Sequence, residues 1–319
     1  MNKLLTLSVI CIFFQLSALT AQTSPNSNSD GKYYTVHGKK IWTVTYGKGD
    51  PLFIIAGGPG SAHYYLRPFD SLANSSTLVY FDGFGRGKSD TAANVSEYSL
   101  SRDIDDLEEL RIAMGYESIN VLGHSYGCVV AQGFALKYPS SLKHLILVSP
   151  FHSHVMWQEN DDNCNREIRT QYPEIWDSLM IIRKQGLVSS DPLHLALYGR
   201  IPYTFLYACS PENYKNIYFD PYPNANNMKL YYQLTGNDGD FKVENDIGTF
   251  DYRDKLKNLK MPVLILAGRY DRVAVPSMMV KYKEYCPQAK FVMFERSGHN
   301  PYIEEPTETF NLIRDFIVD

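Results

Sequence analysis

Gly123-His124-Ser125-Tyr126-Gly127 stands between a short apolar segment at 120–122 and a long apolar run at 125–138 that ends near Pro139. A Gly-x-Ser-x-Gly at a strand-to-helix junction is the arrangement of a nucleophile elbow. The turn is sharp, the serine is forced into a strained backbone conformation, and the flanking glycines remove side chains that would clash. The five residues alone also fit a buried serine in a glycine-rich turn. The strand before them and the helix after them favour chemistry.

Outward from the elbow the same rhythm repeats. Residues 33–36, 41–46, 51–56 (PLFIIA), 77–81 (TLVYF), 142–148 (LKHLILV), 262–267 (PVLILA) and 290–294 read as further strands. Residues 99–114, with apolar Leu100, Ile104, Leu107, Leu110, Ile112 and Met114, read as an amphipathic helix. Residues 278–285 and 307–317 also read as helices. Uninterrupted apolar strands separated by helices predict an α/β fold, a mostly parallel sheet flanked by helices on both faces. From 151 to 250 the alternation stops. That stretch is rich in Tyr, Asn, Asp and Pro, with helical patches at 174–184 and 192–197, and predicts a mainly helical lid inserted after the strand at 142–148.

A serine nucleophile needs a base, and the base needs an orienting carboxylate. Downstream of such an elbow they follow in the order acid, then histidine. Asp271, in Gly268-Arg269-Tyr270-Asp271, lies just past the strand at 262–267. His299, in Ser297-Gly298-His299-Asn300, lies past the strand ending at 294. Both fall at the same sheet end as Ser125, so Ser125, Asp271 and His299 form the expected triad. His63 precedes the serine and would break the order. His124 should point away from the nucleophile, and His152 and His154 should line or solvate the insertion. The oxyanion hole takes one backbone N–H from Tyr126, the residue after the nucleophile, and one from the loop after the strand at 51–56. Gly57-Gly58-Pro59-Gly60 occupies that loop, with Gly58 the candidate. Gly-Lys-Ser at 87–89 lacks the upstream glycine of a phosphate loop, since that position is Asp82. Asp82 and its glycines are expected to brace the sheet end. This chemistry calls for no metal and no organic cofactor.

The 319 residues carry 31 Lys plus Arg against 35 Asp plus Glu, a net charge of −4, which does not suit a nucleic-acid surface. The 24 tyrosines suit the walls of a semi-polar pocket. Lys3, an apolar stretch at 4–16 and small residues at 17–21 make a secretory signal peptide. It is too short for a comfortable membrane span. The chain thus divides into a signal peptide at 1–21, core at 22–150, lid at 151–250 and core at 251–319, with a secreted or periplasmic product that keeps no stable membrane span. An oxidising compartment would let Cys164 and Cys209 pair.

AGGPG at 56–60, DGFGRGKS at 82–89, GHSYG at 123–127, GRYD at 268–271 and SGHNPYIEEP at 297–306 together resemble the α/β-hydrolase superfamily. The GGPG turn and residues 236–256 (GNDGDFKVENDIGTFDYRDKL) are similar to the proline iminopeptidases and tricorn-interacting aminopeptidases. The resemblance implies a serine peptidase that releases N-terminal residues from short peptides. The alternative is a carboxylesterase or lactonase on the same triad. Two departures bear on that choice: Ala56 stands where the family usually has His, and Asp82-Gly83-Phe84-Gly85 where it often has Asp-Gln-Arg-Gly. An exopeptidase must hold a free α-amine, which takes desolvated carboxylates near the site. Lid acids Glu174, Glu212, Asp240 and Glu244 are the candidates. Asp240 and Glu244 lie in the family-like segment, and an acid before Phe241 resembles its pattern.

Overall fold

The computed structural model describes residues 31–215 and 222–318. The signal peptide expected at 1–21 lies outside them. Among the described residues eight strands pair into one sheet: β1 (Lys32–Val36), β2 (Lys39–Gly47), β3 (Pro51–Ile55), β4 (Thr77–Phe81), β5 (Ile119–His124), β6 (Leu142–Val148), β7 (Val263–Gly268) and β8 (Lys290–Phe294). Their order is β1-β2-β4-β3-β5-β6-β7-β8. The pairs β1–β2 and β2–β4 are antiparallel and every other pair is parallel. Every residue of β5 and β7 is buried, which explains the uninterrupted apolar run of β7 and the apolar Val121 and Leu122 of β5: a central parallel strand has no wet face.

The pleat still divides each strand between two cores. Phe53, Ile55, Val121, Val263 and Ile265 face one, and Leu52, Ile54, Leu122, Leu264 and Leu266 the other. Helix α1 (Leu100–Ala113) covers the first face through Leu100, Ile104, Leu107 and Leu110, and Ser99 Oγ caps it by accepting from the Arg102 N–H. Helix α2 (Tyr126–Lys137) packs beside α1 on the same face, against β5 and β6, and is apolar nearly all round because it is buried nearly all round. The C-terminal helix Pro306–Val318 packs Phe310, Ile313 and Phe316 on the opposite face. The single helix expected at 278–285 is instead two short turns, Pro276–Met279 and Tyr282–Tyr285, because the chain tightens to i→i+3 bonds between them, as from Lys281 N to Met278 O at 3.2 Å.

Between β6 and β7 run α3 (His154–Gln171), α4 (Pro173–Arg183), α5 (Pro192–Tyr198), α6 (Tyr203–Tyr207) and α7 (Met228–Thr235). The base of this insertion is clasped where Ser153 bridges Asp251, His154 N–H donates to Phe250 O and Tyr252 N–H to His152 O. It holds a small core of its own, Ile168, Ile175, Leu179, Ile182 and Ile201. Helix α3 is not evident from propensity, since its middle reads Glu-Asn-Asp-Asp-Asn-Cys-Asn, all but the glutamate being poor helix formers. Packing decides it: Trp157, Asn160, Asp161, Cys164 and Ile168 share one buried face. His152 does not line the insertion. It is fully buried against Tyr282 and Tyr285, and burial pushes its imidazole down to about 4. His154 instead caps the clasp, its Nδ1 at 3.1 Å from Phe250 O. Cys164 and Cys209, whose pairing the sequence leaves open, are both free thiols. Cys164 Sγ turns toward Asn160 Oδ1 and Arg272 O on the α3 side, and the Cys209 backbone is held by Glu304.

The elbow depends on close approach. A Cβ on Gly127 would lie 2.3 Å from Ile55 O, and one on Gly123 2.5 Å from Gly127 O. Gly127→Ala is expected to wedge β3 from α2 at a cost of about 1–3 kcal/mol, lowering Tm by roughly 2–12 °C in thermal unfolding followed by circular dichroism. An unchanged Tm would mean that this junction has slack.

Candidate active site

Strand β5 ends at His124 and α2 begins at Tyr126, so Ser125 carries the whole turn. Its backbone sits at φ 56° and ψ −121°, a conformation that L-residues rarely adopt. Such strain costs on the order of 1–3 kcal/mol and persists only where surroundings enforce it. Here the Ser125 N–H is fixed by Val148 O of β6 at 3.0 Å, and Ser125 O accepts from Cys128 N–H at 2.9 Å.

The loops after β7 and β8 bring Asp271 and His299 to the same sheet end. Asp271 Oδ2 is 2.8 Å from His299 Nδ1, and Asp271 Oδ1 accepts from the Val273 and Ala274 N–H groups, both at 2.8 Å. A carboxylate that accepts at Nδ1 fixes the tautomer and leaves the Nε2 lone pair free. His299 Nε2 has no protein partner among the described residues, and it lines the same cavity as Ser125. No Ser125–His299 hydrogen bond is formed. In substrate-free hydrolases this contact is commonly long and tightens on loading.

Gly58, at φ 114°, lines the same cavity as Ser125, and Tyr126 follows Ser125 in the chain. Tyr126 opens α2, so its N–H has no partner in its own helix, which is the condition for binding an anion there. The Tyr126 hydroxyl is tied down by Asp103 at 2.7 Å, which is in turn held bidentately by the buried Arg86. Asp82 accepts from the His63 backbone and Nδ1, from Lys88 N–H and from the Tyr222 hydroxyl, so the glycine-rich stretch at 83–89 is a brace.

The cavity over Ser125 has a volume of about 300 Å³ and continues under the lid into a lobe of about 490 Å³, with Tyr203, Tyr207, Asn160 and Tyr231 on the shared wall. Asp240 lines that second lobe. Burial, with Asp238 alongside, pushes its carboxyl up to about 7. Asp161, which sequence reasoning missed, lines the same lobe. It is buried, its Oδ1 accepts from Asn160 Nδ2 at 3.0 Å and its Oδ2 has no partner. Burial first and the neighbouring Asp240 second raise it well above the carboxylate range. The available signal was an acid at the i+4 position from Trp157, on the apolar stripe of a helix.

The other lid acids stand apart. Glu244 is exposed and paired with Lys242 at 2.5 Å, on a surface depression with Met228 and Gln233, away from Ser125. It was displaced by the turn at Asp240: Asp240 N–H faces Ser189 Oγ while Glu244 N–H returns to Thr235 O. Glu174 is an exposed first-turn acid of α4, and Glu212 is exposed and paired with Lys215.

Residues 50–306 match the family model of the α/β hydrolase fold. A proline iminopeptidase of Heyndrickxia coagulans is 29% identical over 273 residues, 85% of this chain and 91% of that protein. The crystal structure of a proline iminopeptidase from Mycobacterium smegmatis superposes with a TM-score of 0.71 at 21% identity, covering 90% of this chain and 97% of that one. A thermophilic esterase from Thermogutta terrifontis superposes at 0.60 with 21% identity, covering 90% and 98%. The parallel sheet, the elbow after its fifth strand and the family match over residues 50–306 make this chain a member of the α/β-hydrolase family, a hydrolase that resembles the proline iminopeptidases.

Proposed function

We propose that the protein is an exported serine aminopeptidase of proline iminopeptidase type, which releases N-terminal residues from short peptides through an acyl-enzyme on Ser125. The observation that carries this reading is the shared wall of two cavities: the one holding Ser125 and His299 adjoins a lobe walled by tyrosines and lined by the buried Asp161 and the partly buried Asp240. A neutral acyl ester has no use for two desolvated acids, whereas an N-terminal ammonium compensates them.

In this reading His299 Nε2 takes the Ser125 hydroxyl proton as Oγ attacks the carbonyl carbon. The Gly58 and Tyr126 N–H groups receive the charge that develops on the carbonyl oxygen. His299 then gives the proton to the departing amine, and water repeats the sequence to release the acid. Asp271 holds the ring through Nδ1. The α-ammonium lies against Asp240 and Asp161, which sets the distance from the chain start to the attacked bond. A leader at 1–21 would deliver the enzyme outside the cytoplasm, acting on small peptides without a nucleic-acid or membrane partner. The esterase reading uses the same triad and is supported by the esterase fold neighbour and by Ala56 at the place of the family's usual histidine. Turnover of prolyl or alanyl p-nitroanilide against p-nitrophenyl acetate tests the choice, and activity on the acetate alone would overturn the peptidase reading.

Ser125→Ala should abolish covalent labelling by a fluorophosphonate probe while leaving Tm close to wild type. Labelling at full stoichiometry would remove Ser125 from the mechanism.

Asp240→Asn should lower kcat/KM on the aminoacyl anilide by more than tenfold, about 1.5–3 kcal/mol for a charged hydrogen bond, and leave p-nitrophenyl acetate hydrolysis nearly unchanged. Equal loss on both substrates points to a structural role.

The raised carboxyl also fixes a pH dependence. Asp240 is neutral below about 7 and charged above it, while a peptide α-amine loses its charge above roughly 7.7–8.0. The KM for the anilide should therefore be lowest between those limits and rise on both sides. The KM for the acetate should stay flat over the same range. A flat anilide profile excludes Asp240 as the amine's partner.

A further inference from the structure

His124, the residue just before the nucleophile, and Tyr65, in the 3₁₀ segment His63–Leu72, are not used in the chemistry described above. They lie against each other beneath it. His124 Nε2 is 3.2 Å from the His299 carbonyl oxygen, His124 Nδ1 is 2.9 Å from the Tyr65 hydroxyl, and that hydroxyl is 2.6 Å from the Gly57 backbone nitrogen. The His299 carbonyl also accepts from Ser149 Oγ at 2.8 Å. Each proton in this series can be assigned. A carbonyl only accepts, so His124 Nε2 carries a hydrogen. Burial, reinforced by His299, holds the His124 ring well below its ordinary value, so the ring is neutral and Nδ1 accepts. The Tyr65 hydroxyl therefore donates to Nδ1, and its oxygen accepts from the Gly57 N–H, which can only donate.

The result is a chain of one direction, from Gly57 N–H through Tyr65 and His124 to the carbonyl of His299. It spans the two halves of the site. Gly57 precedes the oxyanion candidate Gly58 and presses on the nucleophile: a Cβ there would lie 3.0 Å from both Ser125 Cβ and the Tyr65 hydroxyl, and 3.2 Å from His124 O. The orientation of the Gly57 peptide sets where the next N–H points, and an oxyanion donor acts only when aimed at the position the charged oxygen will occupy. The alternative partner for the Gly57 N–H would be the substrate oxygen itself. The Tyr65 oxygen holds that N–H and leaves Gly58 and Tyr126 as the donors.

We propose that Tyr65 and His124 are positioning residues, a hydrogen-bonded tie that fixes the oxyanion turn relative to the loop of His299. The proposal rests on the assignment of Ser125 as nucleophile. It predicts that loss of the tie misaims donors without removing them, so the penalty falls on kcat and stays below the 10²–10³ expected when a donor itself is lost.

The test uses the full-length enzyme with p-nitrophenyl acetate as substrate and phenylboronic acid as a mimic of the tetrahedral state. Tyr65→Phe and His124→Asn are each expected to lower kcat about tenfold with KM within twofold, and to weaken the boronic acid in proportion to kcat/KM. The double variant should lose no more than either single one, because both cut one chain. Wild-type kcat in Tyr65→Phe, additive losses, or a change confined to KM overturns the proposal. Should Tyr65→Phe fail to fold, His124→Asn decides by the same kcat and boronic-acid readouts, since asparagine can still accept from Tyr65 but does not reach the His299 carbonyl. Ser125→Ala separates the two readings: full turnover in that variant sinks the nucleophile, whereas its inactivity beside a fully active Tyr65→Phe sinks only the tie.

Discussion

A serine with a left-handed backbone is the constraint on which the rest of this molecule is arranged. Ser125 holds φ 56° because three elements meet at it: β6 fixes its N–H through Val148, α2 takes its carbonyl through Cys128, and β3 presses Ile55 O to within 2.3 Å of where a Gly127 side chain would begin. Each of those contacts needs a central position in the sheet. The strand order places β5 between β3 and β6, so the elbow has a parallel neighbour on both sides and a buried helix above it. An edge strand could not supply this. The sheet is therefore the device that keeps a 1–3 kcal/mol distortion from relaxing.

Much of this was legible because it depends on local pattern. Continuous apolar runs suit buried parallel strands, and the eight segments read as strands pair as one sheet, parallel from β4 to β8 and antiparallel at the β1–β2–β4 edge. Ser125, Asp271 and His299 are found at one sheet end for the same reason: loops after parallel strands emerge together. What the sequence hid is set by tertiary burial. Helix α3 is written in Asn and Asp, and only its packing against the core makes it a helix. Asp161 looks like one more solvated lid acid until that helix turns it inward. Glu244, four residues from Asp240, shows the converse, since the tight turn at Gly239 and Asp240 sends one acid under the lid and the other to solvent. Tyr65 carries no motif at all, because a hydroxyl that bridges a backbone N–H and an imidazole is a matter of three-dimensional distance.

The two lid acids impose a second constraint. Two carboxylates in one desolvated lobe cannot both ionise cheaply: burial and then Asp240 raise Asp161, and burial and then Asp238 raise Asp240. The lobe is thus least costly when it holds a proton or a cation. Arg183 does not serve, since its guanidinium is committed bidentately to Asp238 and stacks over Phe241. Nor does His194, which lies 3.8 Å from Asp240 and is itself pushed down by burial and by Arg183. In the proposed reading, a charge that neither side chain neutralises, in a lobe beside Ser125, is what a cationic substrate group would meet.

The lid and the core are joined where the chemistry sits. The α6 segment offers its Tyr207 carbonyl to the His299 N–H at 2.8 Å, and its Phe205 and Ala208 carbonyls to Arg272, the residue after Asp271. Glu304 completes the seam. One carboxylate takes the Gly298 N–H of the histidine loop and the Cys209 and Ser210 N–H groups that follow α6. The loops bearing acid and base are thus held from above by the lid and from below by His124, and the lid cannot leave this edge without freeing His299. A second seam joins the lid to the core at the glycine turns: Ser61 Oγ donates to Asn226 Oδ1 and Ala62 N–H to Ala225 O, both at 2.8 Å, Asn227 N–H donates to Gly60 O at 3.0 Å, and the Asn224 and Asn227 side-chain amides donate to Gly85 O at 2.9 and 2.8 Å. The lid is thus tied both to the histidine loop and to the turn that carries Gly58.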